Sequence, residues 1–252
     1  MSDAILLSFD GPTATVTLNR PDKRNALGVA DMQALAQALA EVHAREGVRA
    51  LILTGVGDRA FCSGAALEDV ATADWSDNPL TALCDGIEAF PLPTICACNG
   101  GVFGGGVEIA AACDFRIGFS EMKCFIPPAR LGIHYEPGGI ARAQRLLGVQ
   151  MTRRMFLLCE TFEGPALERA GFLDRVVPQG EVAAEAARMA AELSALAPLA
   201  VQGMKRTILE LGQGALDAQA ARARVAEAWA SDDLREGLAA MREKRAPRFQ
   251  GR

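Results

Sequence analysis

Two glycine-containing segments, residues 60–67 (AFCSGAAL) and 99–108 (NGGVFGGGVE), each follow an apolar run that predicts a buried strand. Glycines after a strand let the backbone approach a ligand closely, and a following helix points its free N–H groups and positive dipole end outward. Two such loops can form an oxyanion hole, in which fixed amide donors stabilise developing negative charge. Glu108 lies in the first turn of the second loop's helix and is a candidate general acid or base. Alternatively, Glu108 only complements the helix dipole.

Other glycine-loop chemistries fail on spacing. A dinucleotide-binding GxGxxG that starts at Gly101 needs a glycine where Phe103 stands, and one that starts at Gly104 needs a glycine at Ile109. No Gly-Lys-Ser or Gly-Lys-Thr follows either segment, so a phosphate-binding loop is not indicated. Taken alone, each loop favours a structural turn over a ligand-binding site.

The elements that position these loops alternate between strand and helix as far as residue 119. Period-two or continuous apolar patterns predict strands over residues 4–8, 13–18, 50–54, 94–97 and 114–119. Helical spacing of apolar residues predicts helices over 29–44, 80–90 and 107–113. This rhythm is typical of an α/β fold with short crossovers.

From about Gly138 onward the patterns are helical, over residues 142–147, 152–159, 165–170 and much of 181–245. The only later strand candidate is 173–177. We therefore expect an α/β core over residues 1–180 and a helical region over 181–252. The amphipathic helices of that region either pack on another subunit or cover their own core.

Composition excludes several classes of protein. The 252-residue, 26.6 kDa chain is 50% hydrophobic and 23% charged with a net charge of −5, which argues against disorder, nucleic-acid binding and attachment to an anionic membrane. No apolar run is long enough for a membrane span, and the N-terminal residues lack a secretory signal pattern. Seven scattered cysteines without a CxxC motif, and only two histidines, predict reduced thiols in a cytoplasmic protein with no metal site.

Several motifs in register resemble the enoyl-CoA hydratase/isomerase (crotonase) superfamily. They are LNRP at 18–21 with NAL at 25–27, FCSGAAL at 61–67, the 99–108 segment with Cys113 and Asp114, AGFLDRVV at 170–177, and EKR at 243–245 with Phe249. The resemblance implies a crotonase-like spiral of repeated ββα units, with residues 181–252 as a helical trimerisation region. It also implies a homotrimer, or a hexamer formed as a dimer of trimers. The substrate would be a coenzyme A thioester, with no permanently bound cofactor.

The resemblance also assigns roles to individual residues. The backbone N–H groups of Ala65 and Gly105 match those that hold the thioester oxygen, and Glu108 matches the first of two hydratase glutamates. Arg24 matches a basic residue near the nucleotide phosphates, while Ser63, Ala65 and Leu67 match the strip beside the adenine. The basic terminal segment, 241–252, is either a solvated tail or reaches a neighbouring subunit's ligand.

The second family glutamate is absent, because Ala129 stands at its expected place. Glu136 is similar in position to an active-site aspartate of dienoyl-CoA isomerases and is a candidate partner for Glu108; alternatively it is an exposed loop residue. His134 and Tyr135 could hydrogen-bond a substrate. We expect isomerisation or an atypical hydration. Thioester hydrolysis, decarboxylation and a non-catalytic acyl-CoA-binding protein remain as alternatives.

Overall fold

The computed structural model describes residues 3–66, 68–69 and 78–252. Within these ranges the chain forms ten strands and nine α-helices. The strands are β1 (Ile5–Asp10), β2 (Thr13–Leu18), β3 (Ala50–Gly55), β4 (Ala60–Cys62), β5 (Thr94–Ala97), β6 (Gly101–Phe103), β7 (Phe115–Gly118), β8 (Lys123–Phe125), β9 (Phe162–Glu163) and β10 (Arg175–Val176). The helices are α1 (Val29–Ala44), α2 (Pro79–Glu88), α3 (Gly105–Ala112), α4 (Pro137–Leu157), α5 (Gly164–Arg169), α6 (Val182–Ser194), α7 (Pro198–Gln213), α8 (Ala218–Ala230) and α9 (Asp232–Glu243).

Two sheets are built from a repeated ββα unit. The larger has the strand order β1-β2-β3-β5-β7-β10, with every neighbouring pair parallel except the β1–β2 hairpin. The smaller has the order β4-β6-β8-β9. The pairs β3–β4, β5–β6 and β7–β8 each contribute their first strand to the larger sheet and their second to the smaller one. The predicted α/β spiral of ββα units is confirmed.

The apolar patterns determine which faces are buried. In β2 every second residue is buried, whereas β5 is buried throughout because helices cover both faces of a parallel sheet. Helix α1 has the predicted bounds and packs Met32, Leu35 and Val42 into the core. The core continues between the sheets and the inner helices, where Phe61 and Phe172 are fully buried.

The short strands of the smaller sheet were not predicted. The sequence assigns residues 60–62 and 101–103 to loops and gives no signal for β8, because a strand of three residues shows no usable alternation. The prediction that 173–177 is the only strand after Gly138 is wrong. Phe162–Glu163 pairs antiparallel with β8, and only Arg175–Val176 of the later segment forms a strand.

The C-terminal helices differ in what they cover. Helix α6 packs against β2, β3, β5 and β7 and so covers its own sheet. Helices α7–α9 leave large apolar side chains exposed: Met204, Ile208, Leu211, Val225, Trp229, Leu238 and Met241. No helix in the described part of the chain is long and apolar enough to cross a membrane.

Arg116, on β7, fixes the far end of α3. Its side chain is buried, and its guanidinium donates hydrogen bonds to the carbonyls of Ala110, Cys113, Asp114 and Phe172 and to the carboxylate of Asp174. The single cation therefore joins the end of α3 to the segment that leads into β10.

We predict that Arg116→Met lowers the free energy of unfolding by about 3 kcal/mol or more, since it leaves buried carbonyls and a carboxylate without their donor. Denaturant unfolding measures this loss. Arg175→Met, which removes an exposed arginine from the adjacent strand, is the control. An equal, small effect of both substitutions would contradict the role assigned to Arg116.

Candidate active site

The two glycine-containing loops meet backbone to backbone at the start of α3. Gly64 has φ +94°, and a Cβ placed there would lie 2.6 Å from the backbone nitrogen of Gly105. A Cβ on Gly105 would lie 3.5 Å from the backbone nitrogen of Ala65. The amides of Ala65 and Gly105 are therefore close neighbours.

Strand pairing and close packing hold the loops in this position. Strands β4 and β6, which lead into the loops, are parallel neighbours in the smaller sheet. Gly106 lies against β4, where a Cβ would come within 2.4 Å of the Cys62 carbonyl oxygen. A bridge between Leu27 and Ala65 fixes the first loop from its other side.

Both amides are available to a ligand. Gly105 is the first residue of α3, so its N–H has no partner within the helix. Among the described residues, neither the Ala65 N–H nor the Gly105 N–H has a hydrogen-bond acceptor. The positive end of the α3 dipole lies at the same place, which favours a bound negative charge.

The amides open on a cavity of about 380 Å³. Its walls are mainly apolar, with a few polar side chains. The lining residues are Ser63, Ala65, Asn78, Leu80, Gly104, Gly105, Glu108, Pro127, Pro128, Leu131, Ile133, His134, Tyr135 and Glu136. The structure thus brings seven sequence-predicted site residues together around one space: Ser63, Ala65, Gly105, Glu108, His134, Tyr135 and Glu136.

Glu108 lies in the first turn of α3 and is 4% exposed. Its Oε1 accepts a hydrogen bond from Nη1 of Arg142 at 2.7 Å, and its Oε2 accepts one from the Tyr135 hydroxyl at 2.8 Å. Gly139 makes room for this arrangement, because a Cβ there would lie 2.7 Å from Oε2. The carboxylate is held in one orientation at the cavity wall.

Burial raises the pKa of Glu108 above its ordinary value, while the Tyr135 hydrogen bond and the Arg142 charge oppose that rise. Burial also raises the pKa of Tyr135 well above the usual range, and the neighbouring Glu108 carboxylate adds to the rise. The phenol therefore remains a hydrogen-bond donor to Glu108 at neutral pH.

The other carboxylate, Glu136, lies in a different environment. It is exposed and is the residue immediately before α4, which begins at Pro137. It lines the same cavity as Glu108, but its carboxylate has no hydrogen-bond partner among the described residues. Ala129 is exposed in a short 3₁₀ turn and does not line the cavity.

The residues expected at coenzyme A lie beside the first loop. The Ser63 N–H donates to the Arg24 carbonyl at 3.1 Å, and the Ser63 hydroxyl donates to the Lys23 carbonyl at 3.2 Å. Arg24 is exposed, with φ +53°, and is not among the residues that line the cavity. Leu67, the third expected contact, lies outside the described residues.

Sequence reasoning did not identify Arg142 as part of the site. Its segment was recognised only as helical, because the carboxylate it contacts is 34 residues away in the chain. The available signal was an arginine within the apolar spacing of a helix, which requires a buried partner if it faces inward.

Comparison with known proteins identifies the family. The enoyl-CoA hydratase/isomerase family model matches residues 9–252. The chain belongs to the enoyl-CoA hydratase/isomerase family. A Mycobacterium tuberculosis protein named "Probable enoyl-CoA hydratase" is 35% identical over 94% of this chain and 95% of its own length. The short-chain-enoyl-CoA hydratase of Clostridium acetobutylicum is 29% identical over 96% of this chain and 95% of its own.

Solved structures agree with this assignment to the enoyl-CoA hydratase/isomerase family. The crystal structure of an enoyl-CoA hydratase/carnithine racemase from Magnetospirillum magneticum superposes with a TM-score of 0.92 at 30% identity. The match covers 100% of this chain and 97% of that one. The resemblance recognised from the motifs is confirmed at the level of family and fold.

The approach of the loops gives a test of the site. We predict that Gly64→Ala lowers turnover of acyl-CoA thioesters at least ~100-fold, because alanine disfavours the positive φ of this position and its Cβ would displace the Gly105 amide. Gly86→Ala, in open space on α2, is the control and should leave turnover unchanged. Steady-state kinetics on both variants decides the matter. Equal turnover would show that the amide geometry is not used.

Proposed function

We propose that this protein shifts the double bond of an unsaturated acyl-CoA by moving a proton, with the thioester oxygen bound by the amides of Ala65 and Gly105. The observation that carries this proposal is that the Ala65 and Gly105 amides, which have no acceptor in the described part of the chain, and the buried Glu108 carboxylate open on one cavity. Family membership supports an acyl-CoA thioester as the substrate.

The two amides would stabilise the enolate. Removal of a proton from the carbon next to a thioester places negative charge on the carbonyl oxygen. Preorganised N–H donors at a helix N-terminus stabilise that charge without reorganisation, and one such donor is worth about 3 kcal/mol of barrier. The Ala65 and Gly105 amides meet this requirement because the backbone around them is fixed by strand pairing and by glycine contacts.

Glu108 would be the base. Its carboxylate takes the proton from C-2 of a 3-enoyl-CoA, and the C–H electron pair moves into the extended enolate. Return of the same proton to C-4 then moves the double bond from C-3/C-4 to C-2/C-3. No hydrogen is gained or lost overall, so one carboxylate is sufficient.

The carboxylate arrangement favours this shift over addition of water. Water addition usually uses two carboxylates, one to activate water and one to protonate the neighbouring carbon, and Ala129 replaces the second. Glu136 is the only other carboxylate among the described cavity-lining residues, and it is exposed. If Glu136 pairs with Glu108 across the acyl chain, a dienoyl-CoA isomerisation or an atypical hydration follows instead.

Arg24 and Ser63 are proposed as contacts for coenzyme A. Their backbones are hydrogen-bonded to each other next to the first loop, so a nucleotide beside Ser63 would have the exposed Arg24 side chain within the same region. A basic side chain there suits the nucleotide phosphates.

Replacement of Glu108 tests the proposal. We predict that Glu108→Gln, which keeps the side chain's shape, lowers both turnover and solvent deuterium exchange at C-2 at least ~100-fold while acyl-CoA affinity changes little. Mass spectrometry of the acyl-CoA products follows both reactions, and calorimetry follows binding. Glu121→Gln, an exposed glutamate that does not line the cavity, is the matched control.

Glu136→Gln then separates the reactions. A loss equal to that of Glu108→Gln would support two-carboxylate chemistry, whereas unchanged turnover supports a single base. If Glu108→Gln exchanges deuterium as fast as wild type, Glu108 is not the proton carrier. If wild type binds acyl-CoA without any exchange or turnover, the protein is an acyl-CoA-binding protein.

We further propose that α7–α9 bury their apolar faces between subunits of a trimer, or of a hexamer built from two trimers. Trp229 is 73% exposed and Met241 is 77% exposed. Both line an apolar groove of about 740 Å³ between these helices, which shares no residue with the cavity at Glu108. Exposed apolar surface of this kind marks an interaction site.

Light scattering should therefore give a mass about three or six times that of one chain. The double variant Ile208→Glu/Trp229→Glu should dissociate the assembly, because a buried interface would have to accept two unpaired charges. Leu6→Glu, at an exposed apolar position on β1, is the control. A wild-type monomer at micromolar concentration would contradict the assembly proposal.

A further inference from the structure

Among the residues that the structure describes, Glu108 has one cation within hydrogen-bond distance, and that cation is as deeply buried as the carboxylate itself. The Glu108 and Arg142 side chains are each 3% exposed, and Nη1 of Arg142 lies 2.7 Å from Oε1. A buried ion pair contributes little net stability, because removal of both charges from water offsets their attraction. Its position at the wall of the cavity needs a reason other than stability.

Arg142 is shared among three carboxylates. Its other terminal nitrogen, Nη2, lies 2.6 Å from Asp85 Oδ1 and 3.2 Å from Glu88 Oε2. Asp85 is 62% exposed, so the cluster extends from the cavity wall to the surface. Arg145 contacts Glu88 at 2.6 Å but does not contact Glu108.

We propose that Arg142 is a positioning residue for the proton-transfer step: it fixes the orientation of the Glu108 carboxylate and holds it ionised, while the surface Asp85 weakens this effect by competing for the same guanidinium. The inference rests on the proposed function, since it concerns the base of that reaction. It adds a residue on α4, and a modulating carboxylate on α2, to the residues that line the cavity.

The geometry fixes the carboxylate from two directions. Arg142 holds Oε1 and the Tyr135 hydroxyl holds Oε2, so the plane of the carboxylate cannot rotate without breaking a hydrogen bond. Each oxygen retains further lone-pair capacity for a substrate proton. A base held in this way needs no reorganisation before proton transfer.

The charges around Glu108 have opposing effects. The titratable or charged groups that face it are Cys84 and Asp85 from α2, Tyr135 from the preceding segment, Arg142 from α4, and His134 and Glu136 across the cavity. Burial and Asp85 raise the pKa of Glu108, whereas Tyr135 and Arg142 lower it. Of these groups, Arg142 is the cation that touches the carboxylate, so its removal leaves the buried charge without its counter-ion.

The test is the pH dependence of kcat/KM for deuterium exchange at C-2 of butyryl-CoA. Because the base must be ionised, activity falls on the acidic side at the pKa of Glu108. Arg142→Met removes the cation, so we expect the acidic limb to move up by about one pH unit or more. At pH values below the limb, each unit of this shift lowers the rate about tenfold. Arg142→Lys retains the charge and should restore most of the shift.

Two further variants make the test independent of whether Arg142→Met folds. Asp85→Asn alters a largely exposed side chain and removes a competing negative charge, so the acidic limb should move down, opposite to Arg142→Met. Arg145→Met removes a cation from the same helix that does not touch Glu108, and its limb should stay at the wild-type position. Carboxylate infrared spectra of wild type and variants, each minus the corresponding Glu108→Gln spectrum, titrate Glu108 without any turnover.

The inference would be overturned if the acidic limb of the pH profile and the infrared titration of Glu108 stayed at their wild-type positions in Arg142→Met and Asp85→Asn. It would also be overturned if Arg145→Met shifted the acidic limb as much as Arg142→Met does. If the proposed function is wrong, the experiments give a different result. In that case the wild-type protein shows no Glu108-dependent exchange, although the infrared titration still reports whether Arg142 controls the ionisation of Glu108.

Discussion

The close approach of two backbone segments is the constraint on which the site depends. Gly106 must lie against the Cys62 carbonyl, and Gly64 against the Gly105 amide, at separations that leave no room for a Cβ. Only glycine satisfies this packing, and Gly64 also needs its positive φ. As a result, the first turn of α3 is pressed against the end of β4, and two N–H groups with no acceptor among the described residues face the same cavity.

The same packing determines where Glu108 lies. Three residues after Gly105 in α3, its side chain is directed to the wall between the cavity and α4, where Gly139 leaves space for it. A carboxylate at such a buried place requires donors, and Tyr135 and Arg142 provide them. The ββα architecture thus supplies the amides, and α4 with the segment before it supplies the groups that hold the base.

Much of the fold could be predicted from the sequence where a pattern repeats along the chain. The bounds of α1, β2 and β5 match their predictions because helical or apolar periodicity is continuous there. The three-residue strands of the smaller sheet could not be predicted, since pairing between distant segments, and not local pattern, creates them.

The candidate site shows the same division. Gly105 and Glu108 could be located because the glycine run and the glutamate are adjacent in the sequence. The contact with Arg142 could not, because it depends on how α4 packs across α3. The sequence also did not determine the environment of Glu136, because it fits either a base that faces the cavity or an exposed residue before a helix. In the structure Glu136 is exposed immediately before α4 and also lines the cavity.

The most direct test of the proposed oxyanion hole and base is a crystal structure of the protein with a bound, slowly reacting acyl-CoA thioester. We predict that the thioester oxygen lies about 3 Å from the backbone nitrogens of both Ala65 and Gly105, with C-2 facing the Glu108 carboxylate. A thioester whose oxygen points away from these amides, or whose C-2 is out of reach of Glu108, would contradict it.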